Sequence, residues 1–533
     1  MKVNITTTRA LTATLAALLA ASPALATPAP LHVEAPANPD FLDPALALSR
    51  GAWQVLAATG GGLVAFRRVG GMAGADMVPD LAAAMPSASA DGLTLTFTLR
   101  AGVRFGPPAS RVVAASDVKA SLERIFLLDS RGEDLYASIL GARQMMAGTA
   151  RTLSGVTAND SSRRVVVRLT RRDPGIVQAL ALPFAFVVPR TTPPLDQTAN
   201  PPAGIGPYSI DTFEPDEDIV LARNPAYVAQ SGLPAGVSDR ITISIGKSVR
   251  AAAAHVARGG ADYSSAAVAA VAVRRGGYAY GAVANAVPSA ATTYAAVDAT
   301  RPPFNDARVR RAAGLALDRP AAARAVPGGA RPAWRMIPPN TPGHRDTRAA
   351  PDVAAARALV SAAGAGGKSV VVWSQPGAAA QAAVAVARAL SRAGLAASVR
   401  RIPQNGALGR RIPRAGIATG VWSQIVPDGS DAYSSLIRGP QLGFPPDPPV
   451  PAISGDATLR SRARAANLIV PGPARAAAWA RVDAAAVADG RVIPVATPVA
   501  TEVTAKGVSG VAVHPVFGVL LQALTPPANR PAG

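Results

Sequence analysis

The stretch from Leu93 to Phe126 constrains the fold of this chain more than any other. In its first half, polar residues separate the apolar positions Leu93, Leu95, Phe97 and Leu99. A period of two is typical of a half-buried strand, and Asp91-Gly92 just before it is a turn signal. We therefore predict one strand here, with its apolar side chains on a single face.

The second half of the stretch changes to a helical period. Ser116 or Asp117 is placed to cap a helix, and four apolar positions then fall on one face: Val118, Leu122, Ile125 and Phe126. A later run alternates like the first, at Val165, Val167 and Leu169. We expect it to form a partner strand, which makes this region a small mixed α/β unit.

Length and charge limit the protein class. A chain of 533 residues is too long for one compact core, so we expect two or three domains. The net charge of +21 raises the question of nucleic-acid binding. However, the excess is almost entirely Arg, and it is scattered rather than gathered in a stripe with aromatic residues. We predict no nucleic-acid partner.

The N-terminus carries the signals for export. Lys2 and Arg9 flank a polar segment, residues 11–21 are apolar, and Ala24 and Ala26 fit a signal-peptidase site. We predict a signal peptide over residues 1–26. The chain has no cysteine, which excludes disulfides, thiol catalysis, Cys-ligated metals and a lipoprotein anchor. The mature protein is therefore expected to be soluble in the periplasm or another extracytoplasmic compartment.

No catalytic constellation is present in the sequence. The four His residues are scattered, and neither HExxH nor GxSxG occurs. The segment GAGGKS at 364–369 looks like a phosphate loop, but Ala362 stands where its first Gly belongs. It also ends a predicted helix and starts a strand, the reverse of the order that phosphate binding needs. We predict a protein that is not an enzyme and has no cofactor.

The later part of the chain alternates between helices and strands. Patterns predict helices over 352–363 and 378–392, each followed by a strand, at 369–373 and 397–402. Gly364 and Gly394 stand where helix C-caps belong. This order is typical of an α/β lobe.

Several segments together resemble one known family. They are the Leu93–Phe126 stretch, Leu42-Asp43-Pro44, Val78 to Ala82, Gly204 to Tyr208 with Asn224, Pro225 and Tyr227, Pro303 to Ala312, and Arg491 to Val495. In this order they resemble extracytoplasmic solute-binding proteins of family 5, the oligopeptide, dipeptide and nickel-type receptors of ABC importers. Val228 and Asp298 depart from the pattern, since the family usually has an aromatic residue and an Asn there.

The resemblance implies an α/β fold, a type II clamshell like that of periplasmic binding proteins, with two lobes and an inserted small α+β domain. The implied boundaries are 27–66, 185–285 and 498–533 for lobe I, 67–184 for the small domain, and 286–497 for lobe II. Such a protein closes on a ligand in its interlobe cleft and is recognised by an ABC permease. It is expected to be a monomer.

The ligand site implied by the resemblance lies in Val421 to Leu436. The family's peptide receptors have an Asp three residues after the Trp, which pairs with the ligand's α-ammonium, but here that position is Ile425. An Ile cannot neutralise a buried ammonium. Asp428 or Asp431 takes over this role if the loop shifts its register. The implied ligand-binding residues are Trp422, Ser423, Gln424, Ile425, Asp428 and Tyr433, with Trp422 either a stacking wall or part of the core.

These observations predict a substrate-binding protein for a peptide-like or other small polar solute, and Ile425 favours one without a free α-amino group. The alternative is a basic exported protein with a degraded cleft that binds anionic envelope polymers. Arg308, Arg310 and Arg311 suggest an anion site, but the sequence favours the charged, exposed face of a helix.

Overall fold

The computed structural model describes residues 29–265, 282–402, 416–438 and 455–527. The predicted signal peptide lies outside these residues. Within them no helix combines the length and the apolarity needed to cross a bilayer.

The strands of the described segments are β1 Leu31–Ala35, β2 Val64–Phe66, β3 Met77–Pro79, β4 Ser87–Ala88, β5 Thr94–Thr98, β6 Val156–Asn159, β7 Arg164–Arg168, β8 Tyr208–Glu214, β9 Asp218–Arg223, β10 Arg240–Ile245, β11 Tyr263–Ser264, β12 Ala282–Pro288, β13 Ala291–Val297, β14 Ala330–Pro332, β15 Ser369–Ser374, β16 Ala396–Arg401, β17 Ile417–Ser423, β18 Val492–Ala505, β19 Val513–His514 and β20 Gly518–Val519.

The α-helices of the same segments are α1 Arg50–Thr59, α2 Ala115–Leu127, α3 Ala142–Met146, α4 Ile176–Ala179, α5 Val249–Ala257, α6 Ala307–Leu315, α7 Arg319–Arg324, α8 Val353–Ala362, α9 Ala378–Arg392, α10 Gly429–Arg438, α11 Ala457–Asn467 and α12 Pro473–Ala488. Short 3₁₀ turns lie at Met72–Ala75, Glu133–Tyr136, Pro183–Ala185 and Leu521–Ala523.

One long strand, β18, joins the two halves of the main sheet. The strand order is β16-β15-β17-β13-β18-β11-β1-β10-β9-β8, and β12 and β14 also pair with β18. We call β1 and β8–β11 with their helices the first lobe, and β13–β17 with α6–α12 the second. β12 runs from the first lobe towards the second along β18. The lobes are therefore linked by crossing strands.

The small domain is built on the sheet β4-β5-β7-β6. Leu95 lies opposite Val167 and Phe97 opposite Val165, in antiparallel register. All four side chains are buried, because alternation places them on the same face of the sheet. The predicted strand and its predicted partner are thus confirmed.

Separate apolar clusters hold the layers together. The first lobe and the small domain share one cluster, which includes Trp53, Phe97, Phe184 and Phe517. In the second lobe, α6–α9 cover one face of the sheet. Helices α10–α12 cover the other face, around Trp479.

Two details differ from the predictions. The helix predicted to be capped by Ser116 or Asp117 begins earlier, after the N-cap Ala114. The Asp117 carboxylate still serves the helix end, because it accepts a hydrogen bond from the Ala114 N–H at 2.8 Å.

The interpretation of Arg308, Arg310 and Arg311 as one exposed face is wrong for Arg310. Arg310 is only 5% exposed and forms an ion pair with Asp489 at 2.8 Å. It packs inward because its guanidinium also donates to the Phe304 carbonyl.

Candidate functional site

A cavity of about 490 Å³ lies between the small domain and the second lobe. We call it the interlobe cavity. One wall comes from residues 134–135, which lie between α2 and β6, and from residues 171–179, which follow β7. The other comes from the loop after β17 and from the facing ends of α11 and α12, where Arg464, Asn467 and Arg475 lie. A solute inside it contacts both halves of the molecule.

The small-domain wall turns sharply after β7. Gly175 approaches the second lobe closely, since a Cβ added there would lie 3.4 Å from Nη2 of Arg475. Gln178, in α4, is only 4% exposed and lines the cavity. Its amide oxygen is buried and has no hydrogen-bond partner in the described part of the chain. A buried acceptor without a donor is costly and marks a place where a ligand or a water completes the bonding.

The second-lobe wall is organised around Arg475. Its guanidinium forms a two-pronged ion pair with Asp428, at 2.8 and 3.1 Å. It also donates to the carbonyls of Asn467 and Ile469. Both side chains of the pair are almost fully buried. The Asp428 carboxylate is therefore engaged within the wall.

Asp431 lines the cavity and fixes the loop that precedes it. Its Oδ2 accepts hydrogen bonds from the backbone N–H groups of Ile425 at 2.7 Å and Val426 at 3.2 Å. These bonds hold the loop in a tight turn. Both acidic residues that sequence reasoning offered in place of Ile425 thus already have partners in the second lobe.

Ile425 and Gln424 make the contact between the lobes. Ile425 is 8% exposed, and with Val426 it belongs to the apolar cluster shared by the first lobe and the small domain rather than to those of the second lobe. The Gln424 amide N–H donates to the Pro515 carbonyl of the first lobe at 3.4 Å, and its oxygen accepts a bond from the Thr341 hydroxyl. The position that carries a carboxylate in peptide receptors is here an apolar anchor.

Trp422 and Tyr433 lie in the core of the second lobe, and Ser423 is exposed at the end of β17. The Tyr433 ring stacks on Trp479 with centroids 6.0 Å apart. Its hydroxyl donates to Asp483, and burial raises the pKa of this hydroxyl well above its usual value. Of the two roles considered for Trp422, its burial matches the core.

Charges of both signs line the interlobe cavity. Arg171, Arg172, Asp134 and Asp173 line the small-domain wall, and Arg464 lines the second-lobe wall. None of these five forms an ion pair with another residue of the described segments. The cavity therefore offers charge partners to polar groups of either sign.

Sequence reasoning missed the small-domain wall. The signal was present as Arg171-Arg172-Asp173-Pro174-Gly175, a charged turn directly after a predicted strand. Gln178 is the polar residue within the apolar run that follows. None of the six predicted contact residues is among the described residues that line the cavity, whose second-lobe wall uses the neighbouring Val426, Ser430 and Asp431. The predicted contacts therefore stay a prediction.

Comparison with known proteins agrees with this architecture. Residues 76–442 match the family model of bacterial extracellular solute-binding proteins, family 5. The chain is 29% identical over 316 residues to the probable di/tripeptide-binding protein 5 of Pseudomonas aeruginosa (strain UCBPP-PA14), covering 56% of this chain and 58% of that protein. It is 30% identical over 301 residues to the glutathione-binding protein GsiB of Salmonella choleraesuis (strain SC-B67), covering 54% and 53%. These matches span little more than half of either relative.

The fold is shared along nearly the whole chain. The solved structure of clavulanic acid biosynthesis oligopeptide binding protein 2 superposes with a TM-score of 0.78 at 25% identity. The match covers 94% of this chain and 95% of that one. The two lobes and the small domain thus form the clamshell of type II periplasmic binding proteins, as the sequence predicts.

Proposed function

The chain belongs to the bacterial extracellular solute-binding proteins of family 5, and on this basis we propose that it captures a peptide-like or other small polar solute between its lobes. It binds without catalysis and hands the solute to an ABC permease in the membrane. The lobe boundaries given above and a signal peptide over residues 1–26 are part of the proposal. The protein acts outside the cytoplasm, where this family works.

The interlobe cavity is the observation that carries the proposal. Its walls belong to different lobes, so a bound solute adds contacts only when the lobes are together, and binding favours the closed arrangement. Gln178 supports a polar ligand, since its side chain lines the cavity and a turn of its amide would bring the unpaired oxygen to a solute N–H or O–H.

The second-lobe wall argues for a solute without a free α-amino group. Ile425 offers no charge, Asp428 is paired with Arg475, and Asp431 holds its own loop. An ammonium buried beside them would stay unpaired, which costs several kcal/mol. Arg171, Arg172 and Arg464 instead favour solutes with a carboxylate or another anionic group.

Thermal unfolding across a ligand panel tests the proposal. The panel holds di- to pentapeptides, each free and N-acetylated, with oligosaccharides, anionic amino-acid conjugates and metal chelates. A ligand at a hundredfold its Kd adds about 2.7 kcal/mol to the free energy of unfolding. We expect N-acetylated peptides to give the larger shift, and the shift to persist in high salt because lobes closed on the solute exclude solvent ions.

Two results would contradict this proposal in different ways. If free peptides give the larger shift, the ligand's ammonium group binds the small-domain wall, where Asp134 and Asp173 lie, and the preference for solutes without a free α-amino group is wrong. If no solute gives a shift and the protein binds polyanions in a salt-sensitive way, the receptor function is wrong and binding of anionic polymers is the function instead.

A further inference from the structure

A second, mostly apolar cavity of about 320 Å³ adjoins the interlobe cavity. We call it the methionine cavity, because Met77 and Met85 line it, with Val177, Leu95 and, from the second lobe, Val470 and Pro471. The space is of the size that small-molecule subsites use. Methionine side chains are flexible and polarizable, so they adapt to aromatic and branched aliphatic groups alike.

The two cavities are continuous in their lining. Arg172 and Asp173 belong to the walls of both, and so form the boundary between them. Gly92 helps to place this boundary. It has a φ of 69°, and a Cβ added there would lie 3.2 Å from Cγ of Arg172. The bare backbone of Gly92 therefore gives room to the stem of Arg172 at the edge of the polar cavity.

The methionine cavity also needs both lobes. Val470 lies between α11 and α12 of the second lobe and is 64% exposed, whereas Met85, 40% exposed, belongs to the small domain. When a third apolar group covers large apolar side chains that are exposed on two facing surfaces, apolar area is removed from water and the free energy of the complex falls. A group placed here is buried only while the lobes are together.

We propose that the methionine cavity is a specificity subsite that receives an apolar side chain of the same solute whose polar part occupies the interlobe cavity. The inference rests on the proposed function and names its preferred substrates: peptide-like solutes with one aromatic or branched aliphatic side chain next to a charged or polar group. Arg172 and Asp173 hold polar atoms of the solute at the boundary, and the apolar side chain passes beyond them.

The test uses a set of tripeptides, free and N-acetylated, in which Leu, Phe or Ser occupies each position of a Gly background in turn. Affinities are measured by calorimetry for the wild type, Val470→Asp, Met85→Gln and the control Val228→Asp. Val228 is 71% exposed and lines neither cavity. We expect Leu or Phe at one position to bind at least about tenfold more tightly than Ser to the wild type and to Val228→Asp. Both cavity variants should remove most of this preference while still binding the Ser peptide.

Each other outcome is informative. Equal affinity for Leu, Phe and Ser peptides in the wild type overturns the subsite and leaves the proposed function intact. A preference that survives Val470→Asp and Met85→Gln also overturns it. A change of elution volume in Val470→Asp without a change of selectivity assigns this surface to contacts between copies of the chain, against the inference. If no tripeptide binds at all, the inference fails, and the thermal-unfolding panel of other solutes decides separately whether the proposed function fails as well.

Discussion

At the scale of single residues, the buried charges decide how the site is held. Arg475 forms an ion pair with Asp428 and donates hydrogen bonds to the carbonyls at the end of α11. Arg481 lies in the same helix but is exposed, so it serves as the control residue. Removing one partner of a buried ion pair leaves the other charge desolvated and alone. We expect Arg475→Met to lower the free energy of unfolding by about 3–5 kcal/mol, and Arg481→Met by less than about 0.5 kcal/mol. Urea unfolding measures both, and equal effects would contradict the role given to Arg475.

Gln178 leads to the opposite expectation, a substitution that weakens binding without loss of stability. Its buried amide oxygen lacks a donor, so replacing the amide by an apolar group of similar shape is neutral or stabilising. We expect Gln178→Met to melt at or above the wild-type temperature and to bind its solute about tenfold more weakly. The exposed Gln144→Met serves as control. A loss of stability in Gln178→Met would show that its side chain is structural instead.

Asp80, in the small domain, makes the stability of the protein depend on pH. It is 6% exposed and accepts a hydrogen bond from the Gly62 N–H at 3.1 Å. Burial raises the pKa of Asp80 from 3.8 to about 6, against the opposing effect of Arg68. Between these values the folded protein binds more protons than the unfolded chain, so stability falls as the pH rises.

We therefore expect the wild type to lose about 2 kcal/mol of stability relative to Asp80→Asn as the pH rises from about 4 to about 6. Chemical denaturation at several pH values measures this difference. The exposed Asp346→Asn should show no such slope. A constant difference between wild type and Asp80→Asn over this range would rule out titration of Asp80 there.

At the scale of elements, alternation and helical period predicted most of the fold correctly. The strand at Leu95 and Phe97, its partner, and helix α9 all form where the pattern indicates. These elements depend on local periodicity and burial, which a sequence displays directly.

In β5, we expect Phe97→Ala to lower the free energy of unfolding by about 3–5 kcal/mol and the exposed Thr98→Ala to lower it by less than about 1 kcal/mol. Similar losses in thermal unfolding would contradict the assignment of faces.

The walls of the site were harder to predict, for a physical reason. Asp428 and Arg475 lie far apart in the sequence, and no local period reveals that they meet. The same holds for Gln178, whose position against the second lobe depends on how the lobes pack. The resemblance to a family directed attention to the loop after β17 and to the unusual Ile425. Sequence reasoning did not foresee that this Ile is buried against the opposite lobe.

At the scale of the whole molecule, the burial of Ile425 between the lobes determines how much stability is lost when a carboxylate, which the resemblance places here in peptide receptors, is introduced at this position. Ile425 is buried in the apolar cluster shared by the first lobe and the small domain, so a charge placed there would be surrounded by apolar side chains. We expect Ile425→Asp to melt well below Ile425→Asn at neutral pH, with the gap narrowing in acid. A free tripeptide should stabilise Ile425→Asp more than the wild type. Wild-type stability in Ile425→Asp would refute the apolar contact between the lobes.

The long strand β18 has a consequence for the order of events during synthesis. It begins at residue 492 of 533 and supplies a neighbour to β11, β12, β13 and β14. Until it leaves the ribosome, both lobes present open sheet edges, and neither can complete its sheet. We expect a nascent chain that stops before residue 492 to stay protease-sensitive in both lobes, and protection to arrive in both together. A closing strand made this late postpones the completion of both sheets until most of the chain has been translated.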